Sequence, residues 1–352
     1  MADIRPFRAL RFTERAGDIR ELTCPPYDII SESQRLSYLA RNPHNIIRLE
    51  LPRDGADPYA AAGETLRSWL EEGILRQDDE AAFYVYEIEF DLEGMSDISG
   101  MAGGRRSIVG LIAQVHLEEF SKGIVLPHEE TLSKAKEDRF NLMKATHCNF
   151  SDIYSLYMDD GGEEETLDIL GLAQREKPVS ELTDEAGLTH RLWAITDAGI
   201  VSAIQRRFTD TKLYIADGHH RDETALRYRD TLREQGILDT DAEYVMMMLV
   251  EMSHPGLVVF PTHRMIRDVK NFDAAKLLAD SAPYFDIRTG VPLDALDESL
   301  EHAYTEGRKA FGFYTGGETV TVMTLKDTAV MDSLLPDLSP TARQLDVNVL
   351  HT

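Results

Sequence analysis

Three observations predict an α+β fold of mixed sheets with flanking helices. Residues 82–90 alternate as a strand does, with Phe83, Val85, Glu87 and Glu89 facing one way and Tyr84, Tyr86, Ile88 and Phe90 the other. A helix signal of different period precedes it: Asp57 as N-cap, Pro58 at the first helical position, then a stripe of Tyr59, Leu66, Trp69, Leu70 and Ile74. Finally, a strand-like run over 212–216 turns through Gly218 into a helix-like run over 221–235. No segment repeats at a fixed period.

In chain order, the opening is extended, because Pro6, Pro25 and Pro26 hold the residues before them out of the helical region. A helix is expected over 31–41, then the Asp57-capped helix and the strand at 82–90. Its partner is expected over 106–120, across a glycine-, serine- and aspartate-rich hairpin loop at 91–104. The acidic block 159–187 opens Asp159-Asp160-Gly161-Gly162-Glu163-Glu164-Glu165 and reads as a surface connection around a short helix. It divides an N-terminal α+β region, 1–158, from a second α+β region, 188–352. In the latter, 188–196, 212–216, 242–252, 256–261 and two runs flanking Gly316-Gly317 read as extended, with helices over 221–235 and 274–280. Residues 345–352 read as an element that is starting, without a proline or glycine stop, so the chain is expected to run on.

The 352 residues suffice for two or three domains with substantial cores. Against 62 acidic residues stand 37 basic ones, a formal net charge of -25 that repels nucleic acid and anionic membranes. A phosphate-bearing ligand would therefore need a locally basic cleft or a divalent cation. Only Cys24 and Cys148 occur, without CxxC spacing, which favours a reducing cytoplasm over a disulfide framework or structural zinc. The richest apolar run, 245–250, is far too short to span a bilayer, and its Met246-Met247-Met248 reads as core strand.

The densest chemistry lies at Asp217-Gly218-His219-His220-Arg221. At a strand-to-helix junction, first-turn N–H groups and the helix dipole attract an anion. Asp217 can hold a metal or take a proton, Gly218 admits close backbone approach, and His219, His220 and Arg221 offer donors to phosphate oxygens. An Asp-Gly turn with two solvated histidines is the plainer reading of the same residues. His219, His220 and Asp222 are also zinc or iron ligand types, but adjacent helical histidines point about 100° apart.

Elsewhere, His128-Glu129 follows Pro127 at the mouth of a helix carrying Lys134, Lys136, Asp138 and Arg139, where Glu129 could act as a general base. Surface ion pairs at i,i+4 account for much of that helix. Asn42-Pro43-His44-Asn45 and Pro261-Thr262-His263-Arg264 are further polar clusters that read first as loops. Ser133 and Lys136 match S-x-x-K without its accompanying elements. No Walker loop, G-x-G-x-x-G, H-E-x-x-H or G-x-S-x-G occurs.

Taken together, Cys24-Pro25-Pro26-Tyr27-Asp28-Ile29-Ile30-Ser31, Asn42-Pro43-His44-Asn45, His128-Glu129 with Thr131, Lys136, Asp138 and Arg139, then 216–221 and Pro261-Thr262-His263-Arg264, resemble the bacterial family catalogued as domain of unknown function 1015. The resemblance runs the length of the chain and carries no reaction. Residues 208–229 also resemble the D-G-H-H-R loop of free-serine kinases with a ParB/sulfiredoxin-like nucleotide-binding core. That second resemblance implies a phosphate-binding role for Gly218, His219, His220 and Arg221, and metal or hydroxyl activation by Asp217, with a large N-terminal extension added to the core.

The function expected from these residues is a small-molecule kinase using Mg²⁺ with ATP or ADP, its acceptor a hydroxyl-bearing metabolite such as free L-serine. Asp217 or Glu129 would take the proton, and Arg221 with Arg139 would meet the developing charge. His128, Asn45, His263 and Arg264 are the expected substrate contacts, and Asp217 the metal ligand. The expectation includes no nucleic acid or membrane partner and allows a homodimer. Two alternatives stand beside it: a nucleotide-binding regulatory module, and a metal-dependent hydrolase built on His128, His219, His220 and His263.

Overall fold

A computed structural model describes residues 2–91, 104–127, 133–159, 165–258, 263–336 and 338–352. The described residues form two compact units, the first within Met1–Asp91 and Gly104–Val258 and the second within Val259–Thr352. The architecture is mixed α+β in both.

The first unit opens with strands β1 (Ile4–Arg5) and β2 (Leu10–Phe12), then helices α1 (Ile19–Leu22), α2 (Glu32–Arg41), α3 (Ile47–Glu50) and α4 (Pro58–Glu71). Ser31 and Gln34 form a reciprocal capping box on α2. Asp57 accepts the first-turn amides of Tyr59 and Ala60 in front of Pro58, as its position in the sequence requires. Strands β3 (Leu75–Gln77), β4 (Phe83–Asp91), β5 (Arg105–His116) and β6 (Val125–Leu126) follow, then α5 (Ser133–Thr146), β7 (Ile153–Tyr157) and α6 (Thr166–Ala173). The unit closes with β8 (Ser180–Thr183), β9 (Thr189–Ile195), α7 (Ala198–Phe208), β10 (Leu213–Asp217), α8 (His219–Glu234) and β11 (Tyr244–Glu251).

Among the described residues, nine strands form one sheet in the order β6-β10-β7-β11-β5-β4-β9-β8, with β1 on β5. The β6–β10 and β7–β11 pairs are parallel, and the other pairings are antiparallel. The expected hairpin partner strands do pair, from Tyr84↔Ile112 to Asp91↔Arg105, while residues 92–103 between them lie outside the described residues. Strand alternation sends Phe83, Val85, Leu111, Ala113, Met247 and Leu249 to one face. There they join a single buried cluster with Ile169 and Leu170 of α6 and Ile204 and Phe208 of α7. A second cluster ties Leu66 and Trp69 of α4 to Leu142 of α5. The two helices approach closely at Gly63, where a Cβ would stand 2.6 Å from the Ala145 carbonyl oxygen.

Residues 159–187, expected as a connection between domains, run within the first unit. The reason is pairing: β8, inside the acidic block, hydrogen-bonds to β9 just after it, and β9 to β4, so this part of the chain completes the N-terminal sheet. The change of unit falls at 258/259 instead. Helix α7, capped by Asp197, is an addition to the expected order.

The second unit contains α9 (Ala274–Ser281), β12 (Phe285–Pro292), α10 (Leu296–Thr305), β13 (Ala310–Phe313) and β14 (Thr319–Leu325). Its sheet has the order β12-β14-β13, and three short helices follow, α11 (Val330–Leu334), α12 (Pro340–Arg343) and α13 (Asp346–His351). The two runs flanking Gly316-Gly317 are thus β13 and β14, and β12 and α10 are additions. No helix among the described residues is long and apolar enough to cross a membrane.

Candidate functional site

Strand β10 ends on Asp217, and Gly218 turns the chain into α8 with φ 97° and ψ 23°. Side-chain-bearing residues rarely adopt that left-handed conformation. Space imposes a second constraint, because a Cβ on Gly218 would stand 2.9 Å from Arg221 Nε. The Arg221 guanidinium lies folded over the turn, where it donates to the Asp217 carboxylate and to the Asp152 carbonyl. Helices α2, α4, α7 and α9 begin on Ser31, Asp57, Asp197 and Asp273, whose side chains accept first-turn amides. Helix α8 begins on a glycine that has no side chain to offer, so any capping charge for its positive end must come from elsewhere.

Arg139, one of the expected phosphate contacts, stands on α5. Its Nη1 donates to the Glu50 carbonyl at 2.9 Å and lies 3.5 Å from Glu50 Oε1. Nε and Nη2 hold Asp138 at 2.9 and 2.7 Å, and the guanidinium stacks 4.1 Å from the Tyr27 ring centroid. Glu50 also accepts from Ser151 Oγ. Burial pushes the Glu50 carboxyl above its ordinary range, with Arg139 and Arg221 pulling the other way. Burial likewise raises Asp152 and Tyr27, each partly offset by Arg221, and pushes the neighbouring Cys24 thiol up to about 12. Asp217, Arg221 and Arg139 therefore share one electrostatic neighbourhood with Tyr27, Glu50, Ser151 and Asp152.

Those last four were not singled out from sequence as site residues. Tyr27 lies in the Cys-Pro-Pro-Tyr-Asp stretch, whose prolines signalled only extended backbone. Glu50 closes a short helix with no motif around it. Its sequence clue is that it is one of two charges in a run that is otherwise apolar, Ile46-Ile47-Arg48-Leu49-Glu50-Leu51.

The remaining expected residues fall in different places. The His219 side chain is 1% exposed and packs inside, so the expected pair of histidine donors reduces to the half-buried His220. Asn45, expected to touch substrate, is fully buried. Its Nδ2 donates to the Glu21 and Thr23 carbonyls at 2.7 and 3.0 Å, and its Oδ1 accepts from Ile47 N–H at 3.0 Å, which makes it a staple between α1 and α3. His263 and Arg264 are exposed residues of the second unit, and Arg264 Nε lies 3.3 Å from His351 Nε2. His128 and Glu129 lie outside the described residues, as do Pro261 and Thr262. Strand β6, which ends two residues before His128, runs parallel beside β10, so both strands point their C-terminal ends the same way.

One buried carboxyl on α8 stands apart. Asp222 is 1% exposed, its Oδ2 meets no hydrogen-bond donor among the described residues, and burial with help from Glu223 lifts it from 3.8 to about 7. Among the described residues, no group of three or more His, Cys, Asp and Glu side chains is arranged to hold a metal ion.

A family model described as "Protein of unknown function (DUF1015)" matches residues 4–348. No curated protein and no solved structure matches the chain.

Proposed function

The chain belongs to that family of unknown function, and because no reaction comes with membership, we propose one from its own residues: a nucleotide-dependent kinase acting on a small hydroxyl-bearing metabolite, with free L-serine the first acceptor to test. The observation that carries this reading is the turn at Asp217-Gly218, where a helix starts on an uncapped left-handed glycine with a mostly exposed carboxylate on one side and Arg221 folded over it. Phosphoryl transfer asks chiefly for positioning and countercharge, and this turn supplies both residue types. On this reading the core is of the ParB/sulfiredoxin-like kind, and the protein works in the cytoplasm on ATP or ADP.

Mg²⁺ usually binds through one or two carboxylates together with substrate phosphates and waters, so it needs no protein-only cage. Asp217, with its side chain 66% exposed beside the helix start, fits that requirement. When bound there, Mg²⁺ would offset charge on the nucleotide phosphates. Arg221 would exchange its bond to Asp217 for a phosphate oxygen, and Arg139 would add positive charge from α5. The proton acceptor is Asp217, Glu129 or Glu50. Glu50 joins the two expected from sequence because its burial raises its proton affinity towards the range useful in general base catalysis.

The Asp217–Arg221 ion pair favours a second reading, a regulatory module in which nucleotide binding breaks the pair and changes affinity for a partner without transfer. Phosphorus NMR separates the two. With Mg²⁺, ATP or ADP, and a panel of hydroxyl amino acids, the kinase yields a new phosphomonoester signal over many turnovers. Asp217→Asn should lower that rate at least about a hundredfold with the fold intact, since the side chain is exposed. Nucleotide bound but unconsumed with every acceptor would replace the kinase by the regulatory module.

A further inference from the structure

The first unit leaves part of its central sheet uncovered on one face. Leu111, Ala113 and Met247 are fully buried on the side packed by α6 and α7, whereas Ile112, Gln114 and Met246 on the other side are only half-buried, although β5 and β11 are interior strands. Above them lies a cavity of about 1060 Å³, walled by Phe12, Met143, Leu192 and Tyr228 among others. Small-molecule sites are typically concave, apolar and roughly 300–1,000 Å³.

The polar groups of this cavity are few and specific. Tyr228 Oη and His147 Nδ1 are 2.6 Å apart, and His147 has φ 55°, a conformation that costs a non-glycine residue roughly 1 kcal/mol or more. Gln114 Oε1 accepts from Arg5 Nε at 2.8 Å, which leaves its amide N–H groups without a partner among the described residues. The nearby charges are largely matched: Arg11 by Asp78 at 2.7 Å and Asp241 by Arg5 at 2.6 Å, with Arg8 and Glu14 balancing each other in sign. Such a lining suits an uncharged body with one hydrogen-bonding group. It also adjoins the phosphate-binding turn, because β7 and β11 run in parallel with Ile153 opposite Met247. Met246 and Asp152, one residue earlier on each chain segment, are therefore separated by about one strand spacing, ~5 Å.

We propose that this cavity binds an uncharged, largely apolar small molecule, of the size of a substituted aromatic or medium acyl alcohol. Its hydroxyl or carbonyl group meets the Gln114 amide or the Tyr228–His147 pair. The proposal stands on the cavity alone and does not require phosphoryl transfer.

The probe is Nile red, a neutral dye that brightens in apolar surroundings, titrated into the native protein and then competed with benzyl alcohol and hexanol. The expected result is saturable binding of one dye per chain, displaced by both alcohols, and weakened at least tenfold by Ile112→Trp with cooperative melting retained. Leu10→Trp, at an exposed position of the cavity wall, is the second obstruction should Ile112→Trp fold poorly. Absence of saturable binding, or equal affinity in both variants, overturns the proposal. Asp217→Asn should bind dye as the native protein does, and failure of phosphoryl transfer by the native protein with intact dye binding would overturn the kinase reading alone.

Discussion

Asp222 shows how a single residue can set a pH dependence that the rest of its helix does not share. Unfolded, its carboxyl ionises near 3.8, and folded, burial delays ionisation to about 7. Between those values the native state holds a proton that the unfolded chain has lost, so Asp222 makes stability fall as pH rises from about 4 to about 7, after which its effect is constant. Asp222→Asn removes this titration while keeping the side chain's shape. The difference between the urea-unfolding free energies of the two proteins should widen across that window, the variant becoming more stable by on the order of 2–4 kcal/mol at pH 8. Parallel curves from pH 4 to 8 would mean that Asp222 ionises normally. Gly218 is the opposite case, a residue chosen for what it lacks, since its φ of 97° strains any side-chain-bearing residue and a Cβ there would push the Arg221 guanidinium aside.

Among the elements, α3 depends most on a tie from outside itself. It is four residues long, too short to hold its own geometry, and its last residue is Glu50. Asn45 fixes its start through two bonds to the carbonyls of Glu21 and Thr23 and one from Ile47 N–H. Asn45→Ala would leave two part-buried carbonyls and one buried amide without their partner. The loss should be roughly 1–3 kcal/mol of stability in urea unfolding. The displacement of Glu50 should also speed Cys24 modification by thiol reagents in a Cys148→Ser background, because Cys24 is shielded beside Glu50. A variant as stable and as unreactive as its parent would show that Asn45 is dispensable to α3.

For the molecule as a whole, the division at 258/259 carries the clearest consequence. Each hydrogen-bonded neighbour in the large sheet, from β6 to β8, is supplied by residues before Gly256, and β11 ends at Glu251. Fragment 1–258 should accordingly unfold in one cooperative transition with native-like near-ultraviolet dichroism. A fragment without fixed tertiary signal would make the first unit dependent on the rest of the chain. At this scale, too, the net charge of -25 acts against any polyanion, and Arg221 of the turn and Arg139 of α5 are already matched locally by Asp217, Asp138 and Glu50.

The sequence by itself determined what local rules control. The cap at Asp57, alternation through 82–90, and the glycine that turns 212–216 into a helix each act within a few residues, and each appears where its signal stands. Family membership was legible for the same reason, as a string of short motifs in order. Only the tertiary structure decided which side chains meet. Glu50, Arg139 and Arg221 are separated by more than eighty residues at each step and converge because α3, α5 and the start of α8 come together, a matter of long-range burial rather than of spacing. The same physics turned His219 and Asn45 inward, since a polar residue's neighbours in sequence do not say which face of its element the core will cover.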